Sequence, residues 1–279
     1  MTPDTRAKRA TFRALHAQGC FVLPNPWDVG SARMLQGMGF KALASTSSGF
    51  AWSMARPDNG VTREMVLAHL RMIVDATDLP VNADFESGFG ATPADVGESV
   101  RMAVATGVAG LSIEDSTGDA SAPLRGIDTS VARMRAARAA IDATGGDTLL
   151  IGRAENFIVG RPDLDDAIAR LKAYSDAGAD CLYAPGIRTR EQIAKAVAAV
   201  APKPFNLLIG WASDLTVQEV AALGVRRISV GGAMARAAWG GFLRAARAIA
   251  DTGKFDAFAE AASGNELNTF FGNAGERPA

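Results

Sequence analysis

Two cysteines in 279 residues, Cys20 and Cys181, are too few for a disulfide framework or a thiolate zinc centre. Each leads into an apolar run of strand type, so both are expected as buried thiols that pack like small hydrophobes. An excess of one charge is also missing. The 29 basic and 30 acidic residues leave a net charge of -1, which provides no electrostatic footprint for nucleic acid or an anionic membrane. Charge or glycine interrupts every apolar stretch before the roughly 20 residues a membrane span needs. The charged, helical N-terminus MTPDTRAKRATFRALHAQG lacks the apolar centre of a signal peptide. Histidine is scarce, and His16 and His69 both fall in helical patterns as packing or surface residues. These absences point to a cytoplasmic chain with a small-molecule partner, no nucleic acid and no membrane.

Short β-type runs alternate with longer amphipathic segments from end to end, the pattern of parallel strands joined by helical crossovers. The strands expected are 20–25, 41–46, 80–86, 109–115, 149–155, 180–185, 204–209 and 226–231. Helical segments such as PADVGESVRMAVATG and DLDDAIARLKAYSDAG lie between them. Four of the helical segments stop at Gly39, Gly107, Gly178 or Gly224, just ahead of a strand, where glycine takes a left-handed turn at low cost. Eight strand-helix units predict a single α/β domain over 1–279, a (β/α)8 TIM barrel. A helix over 3–18 precedes it, and a helical extension over about 233–279 follows, expected in oligomer contacts. A doubly wound open sheet is the alternative, but no G-x-G-x-x-G follows the first strand.

In such a barrel the active site lies at the C-terminal strand ends. The stretch VNADFESGFG, residues 81–90, places carboxylates there. With a side-chain period of two, Asn82, Asp84 and Glu86 share one face. Strand four repeats the arrangement with Ser112 and Glu114, and strand five with Arg153 and Glu155. Asp84, Glu86, Glu114 and Glu155 sum to -4 against +1 from Arg153, a crowding that protons or a cation must relieve. With oxygen ligands alone, Mg2+ or Mn2+ suits the cluster better than Zn2+. The competing reading makes these acids helix caps or a structural ion-pair ring. STSSGFAWSMARPDNG, 45–60, is rich in hydroxyls and glycine and is expected as a loop whose backbone N–H groups approach an anion. Asp28 of NPWD is placed to cap the next helix.

At these residues the sequence resembles the phosphoenolpyruvate mutase/isocitrate lyase superfamily. The motifs are the T-S-S-G turn with Asp58 downstream, D-F-E-S-G-F-G, the I-E-D of strand four and the G-R-A-E of strand five. The resemblance runs from about residue 10 to 250 and implies Mg2+, with Mn2+ as the alternative, and chemistry on a small carboxylate through a metal-stabilised pyruvate-type enolate. It implies Asp84 as the direct metal ligand, with Glu86 and Glu114 acting through water. Arg153 would grip the substrate carboxylate, Ser47, Ser48 and Gly49 would bind its oxygens, and Asp58 would stand behind the metal or gate the mouth. Asn206 of strand seven joins the substrate-binding set, and Tyr183 of strand six is the candidate proton donor. The resemblance also implies a homodimer or homotetramer.

The chain departs from the superfamily after strand four. Isocitrate and methylisocitrate lyases carry Lys-Lys-Cys-Gly-His there, whereas this chain reads EDSTGDASAPLRGID, 114–128, with no Cys or His. The Lys and Asn of the mutases and phosphonopyruvate hydrolases are missing too. Arg125 is the cation of this segment, whose Gly, Ser and Asp content suits a lid. The expected activity is therefore a Mg-dependent lyase or decarboxylase that cleaves a C–C bond of a small 2-oxo or 2-hydroxy di- or tricarboxylate. The alternatives are P–C bond chemistry on a phosphonate and a 2-oxocarboxylate-binding protein without turnover.

Overall fold

The computed structural model describes residues 3–273. Eight parallel strands form one sheet: β1 (Phe21–Leu23), β2 (Leu43–Ala44), β3 (Val81–Asp84), β4 (Gly110–Glu114), β5 (Leu149–Arg153), β6 (Cys181–Tyr183), β7 (Phe205–Leu208) and β8 (Arg227–Ser229). From β2 to β8 each strand pairs with its neighbour in the chain, and β8 pairs with β1, so the sheet curls into a nearly closed α/β (β/α)8 barrel. The seam between β1 and β2 has no ladder. The Ala44 N–H donates to the Pro24 carbonyl at 3.0 Å, and Asn25 Nδ2 donates to the Ser45 carbonyl at 2.8 Å.

The crossovers are α2 (Val29–Gly37), α3 (Ser47–Ser53), α4 (Arg63–Ala76), α5 (Pro93–Val104), α6 (Ile127–Asp142), α7 (Leu164–Asp176), α8 (Arg190–Val200) and α9 (Val217–Ala222). Their boundaries follow local chemistry. Thr92, Thr189 and Thr216 start α5, α8 and α9 with reciprocal capping boxes, and Asp28 caps α2 through Ser31 as expected. The glycines expected as helix-to-strand turns all have positive φ, +87° at Gly39, +93° at Gly107, +102° at Gly178 and +88° at Gly224.

Two apolar layers result. Outward side chains such as Val81, Leu111, Leu150 and Leu182 pack under the helices. Inward ones, among them Leu23, Ala44, Ile151 and Cys181, fill the barrel, whose base is plugged by Phe12 of α1 (Pro3–Ala17). Gly110 leaves the room this plug needs, since a Cβ there would lie 2.7 Å from the Phe12 ring. Arg9 pins α1 from the side, donating to the carbonyls of Val104 and Val108. Cys181 is buried as expected, whereas Cys20 is half-exposed. His69 is a packing residue, stacked on Phe50 with Nε2 2.9 Å from the Trp27 carbonyl.

After β8 come α10 (Ala233–Thr252), a 3-10 turn (Asp256–Glu260) and α11 (Gly264–Asn273). The last residues of the expected extension, 274–279, lie outside the described residues. Phe270 packs on Gly37, where a Cβ would come within 2.4 Å of its ring, which docks α11 on α2. Among the described residues no helix is long and apolar enough to cross a membrane.

Candidate active site

The carboxylates gather at the C-terminal strand ends, although by a different backbone route from simple alternation. β3 ends at Asp84. Its Oδ2 accepts from the Ser47 backbone N–H at 2.9 Å, and its Oδ1 lies 3.2 Å from Arg153 Nη1. Glu86 lies beyond the strand in a left-handed conformation, φ +48°, which few non-glycine residues adopt without a reason. That turn keeps Glu86 among the acids instead of continuing the pleat. Its Oε1 is buried without a hydrogen-bond partner. Burial, then the charges of Asp84 and Glu114, push its carboxyl up to about 8.

Arg153 is the centre of the cluster. Its Nη1 is 3.1 Å from Glu114 Oε2 as well as 3.2 Å from Asp84, and its Nε donates to Glu155 Oε1. The guanidinium carbon sits 5.1 Å from the centre of the Tyr183 ring. Burial alone would lower the Arg153 pKa, but the charges of Glu155 and Glu114 hold it protonated. Burial raises Glu114 and Glu155 against the pull of the same arginine. Ser116 Oγ donates to Glu114 Oε1 at 2.5 Å.

The other expected residues divide. Asp58 reaches the cluster from the segment after α3, and its carboxyl is raised by burial and by the charge of Asp84. Tyr183 lines the cavity beside Arg153, and burial pushes its hydroxyl up to about 12. Ser47 and Ser48 also line the cavity. They open a helix instead of the irregular loop expected, with Thr46 as its cap. Gly49 is buried beneath them, where a Cβ would lie 2.7 Å from Thr46 and 3.1 Å from Ala235, so packing accounts for the glycine. Asn206 is fully buried deeper in the barrel, directly behind the lining residues Ser229 and Arg227 of the cavity. Its amide donates to Ser229 Oγ at 3.0 Å, and its Oδ1 accepts from Arg227 at 2.8 Å. Its register partner Tyr183 reaches the cavity, whereas Asn206 pairs on its other side with Arg227, whose guanidinium meets His16 at the barrel base. Strand tilt separates residues that pair in register.

The cavity has two chambers. The inner one, of about 230 Å³, holds Asp84, Arg153 and Tyr183. The outer one, of about 390 Å³, lies between segment 116–123 and the turn after β5. Among the described residues no three His, Cys, Asp or Glu side chains form a ready-made cation cage. Arg153 Nη1 lies between Asp84 and Glu114. The donor chemistry nonetheless fits a hard cation, since the acids are oxygen donors in excess of positive charge and Glu86 Oε1 lacks a partner.

One residue that organises the mouth escaped the sequence reading. Asp115, 2% exposed, accepts from the Glu155 N–H at 2.8 Å, from Arg170 Nη1 at 3.1 Å and from the Tyr174 hydroxyl at 2.5 Å. Arg170 also donates to the Arg125 carbonyl at 2.8 Å, and the Arg125 N–H donates to the Asp115 carbonyl at 2.9 Å. These bonds close the neck of a small hairpin bridged by Ser116 and Leu124. Arg125 turns its side chain back onto the Ser116 carbonyl. The sequence signal was the third letter of I-E-D, an acid on the face opposite Glu114.

Comparison with known proteins agrees with this geometry. The family model of phosphoenolpyruvate phosphomutase matches residues 12–250. A solved structure from Burkholderia cenocepacia J2315, provisionally described as a lyase/mutase, is 48% identical, with a TM-score of 0.93 over 96% of this chain and 98% of that one. The oxaloacetate decarboxylase of Bradyrhizobium sp. ORS 278 is 30% identical over 81% of this chain and 78% of its own. The structure of 2,3-dimethylmalate lyase is 27% identical, with a TM-score of 0.84 over 98% of this chain and 95% of that one.

Proposed function

We propose that this chain, which belongs to the phosphoenolpyruvate mutase/isocitrate lyase superfamily and is a carbon–carbon lyase of it, cleaves a small 2-oxo or 2-hydroxy di- or tricarboxylate to leave a pyruvate-type enolate. The observation that carries this reading is the single arginine, Arg153, set among Asp84, Glu114 and Glu155 at the strand ends. A site so rich in carboxylates and so poor in cations suits a bound Mg2+, held directly by Asp84 and through water by Glu86 and Glu114, with Mn2+ as the alternative. The ion would supply positive charge where the substrate's 2-oxygen becomes negative.

The chain's own residues do the remaining work. Arg153 offers a planar fork to a substrate carboxylate, for which it would exchange part of its hold on the acids. Ser47 and Ser48 orient substrate oxygens from the first turn of α3. Asp58 stands at the mouth. In the decarboxylation of oxaloacetate the C3–C4 bond breaks, its electron pair moves into the enolate, and a proton must arrive at C3. Tyr183 holds a proton on Oη at neutral pH, since burial pushes its hydroxyl up to about 12. Decarboxylation needs an electron sink more than a strong protein acid, which fits a 114–128 segment without Cys or His.

The test is a panel of 2-oxo and 2-hydroxy acids with Mg2+, read by pyruvate release in a coupled dehydrogenase assay. Phosphonopyruvate turnover in the same panel would favour P–C chemistry, and binding without turnover a carboxylate-binding protein. Asp84→Ala is expected to lower Mg2+ affinity and reduce activity by on the order of 10²-fold or more. Unchanged Mg2+ titration of that variant would remove β3 from the metal site. Two free cysteines suit the cytoplasm. The exposed Trp239 and Phe242 of α10 support a homodimer or homotetramer.

A further inference from the structure

The lyase reading gives no task to Arg227, yet this is the most anomalous charge in the barrel. Its side chain is 2% exposed on β8, at the floor of the inner chamber. A buried guanidinium is normally matched by an acid. Here its hydrogen-bond partners among the described residues are neutral: Asn206 Oδ1 at 2.8 Å from Nε, and His16 Nε2 at 3.3 Å and Asn82 Oδ1 at 3.5 Å from Nη1. The titratable groups whose negative charge would match it are Cys181 and Tyr183. Burial pushes the Cys181 thiol up to about 11, so it is neutral at ordinary pH.

Arginine only donates, and that fixes the direction of every bond leading from it. His16 accepts on Nε2, so its Nδ1 proton goes to the Phe12 carbonyl, 2.7 Å away. Asn206 accepts on Oδ1, which turns its NH2 group to Ser229 Oγ at 3.0 Å. Ser229, having accepted there, keeps its own proton for the next partner. That partner is Tyr183, whose hydroxyl Ser229 hydrogen-bonds and makes easier to ionise, as a donor to the phenol oxygen does. The other charges facing Tyr183 are Arg153, which lowers its hydroxyl after burial has raised it, and Glu155 and Asp84, which raise it.

We propose that Arg227 is a positioning residue for Tyr183: through Asn206 and Ser229 it directs a one-way chain of donors onto the phenol oxygen, steadying the phenolate and leaving the phenol's own proton free for the chamber. Resting on the lyase reading, the step is a proton transfer from Tyr183 Oη to C3 of the enolate, whose electron pair forms the C–H bond. The phenolate left behind is the counter-charge that Arg227 lacks, and it regains a proton from solvent in the chamber. The chain is complete before substrate arrives, so no reorganisation is needed when the charge appears.

The experiment uses the full chain with its two tyrosines replaced by 3,5-difluorotyrosine, whose more acidic phenol brings the titration into a pH range the fold survives. Fluorine NMR follows each midpoint, and Tyr174→Phe identifies the Tyr183 signal. Ser229→Ala is expected to raise the Tyr183 midpoint by on the order of one pH unit, the loss of one hydrogen bond to a charged oxygen. Ser229→Thr keeps the hydroxyl and is expected to restore it. Asn206→Leu cuts the chain one link further back and is expected to raise the midpoint by less; if that variant does not fold, Asn206→Asp keeps the size, accepts from Ser229 and is expected to raise it too. A midpoint unmoved in Ser229→Ala, or unmoved in the folded Asn206 variant, would overturn the proposal whatever happens to the Tm, and would leave the lyase reading in place. No pyruvate from any acid of the panel, with the midpoint shifts intact, would instead remove the lyase reading and the proton transfer assigned to Tyr183.

Discussion

Glu86 shows most directly how a residue can be placed for function at the expense of stability. Its backbone is left-handed, its Oε1 is buried without a partner, and three other acids act on it. Glu86→Gln removes the charge while keeping the shape. The metal-free variant is expected to gain about 1 kcal/mol or more of stability, seen as a higher Tm, while its Mg2+ affinity falls. A lower Tm in EDTA would mean that the carboxylate is already compensated within the fold. The acids were legible in the sequence because strand alternation and the barrel rule together send alternate residues to the mouth. Alternation does not report where a strand stops, however, so the left-handed turn that places Glu86 was not. Asn206 sits deeper than its inward parity alone suggests, for a related reason. Facing inward is legible from period two, but depth along a tilted strand depends on the stagger of its neighbours.

At the scale of elements, the hairpin after β4 is tied to α7 through Asp115. Tyr174→Phe removes one donor from this carboxylate and is expected to cost about 1–2 kcal/mol. Arg170→Met withdraws both the opposing charge and the bond to the Arg125 carbonyl, at about 3 kcal/mol. The second variant should also free the hairpin neck, so limited proteolysis within 117–123 is expected to accelerate more than the Tm loss alone explains. Equal cleavage in the wild type and Arg170→Met would show that the hairpin is held elsewhere. This tie was hidden in the sequence, since Asp115 and Tyr174 are 59 positions apart and neither type is unusual in its element. By contrast, all eight strands and the glycine turns could be read, because each depends on a short pattern. α3 could not, since its hydroxyls and glycine resemble a loop until Thr46 is seen to cap it.

The whole molecule adds three expectations. The base of the barrel is closed by α1, where the His16 ring packs edge-on to Phe12 and Phe21, with Nδ1 2.7 Å from the Phe12 carbonyl and Nε2 facing Arg227. Burial, then the neighbouring Arg227 charge, lower its pKa to about 3 from 6.5. The unfolded chain therefore binds a proton there that the fold resists. The stability from neutral His16 is complete above pH 6.5 and drains as pH falls toward 3. Wild-type Tm should drop between pH 7.5 and 5, and His16→Gln should flatten that drop; an unchanged slope would place the pH sensitivity in other groups. On α10 and around the 3-10 turn after it, Trp239 (38%), Phe242 (60%), Phe255 (63%) and Phe258 (53%) stay exposed, a run of large apolar side chains of the kind that marks a contact surface. Phe242→Glu combined with Trp239→Glu is expected to shift sedimentation toward the monomer with the melting profile retained. A final consequence concerns the seam between β1 and β2. Seven of the ring's eight joints are laddered, and the eighth is clasped by the Ala44 amide and one asparagine. Deuterium should therefore enter at Ala44 well before it reaches Ile113, and because Asn25 also receives the Val230 and Gly231 amides, Asn25→Ala would unfasten the ring at that joint without disturbing a single acid.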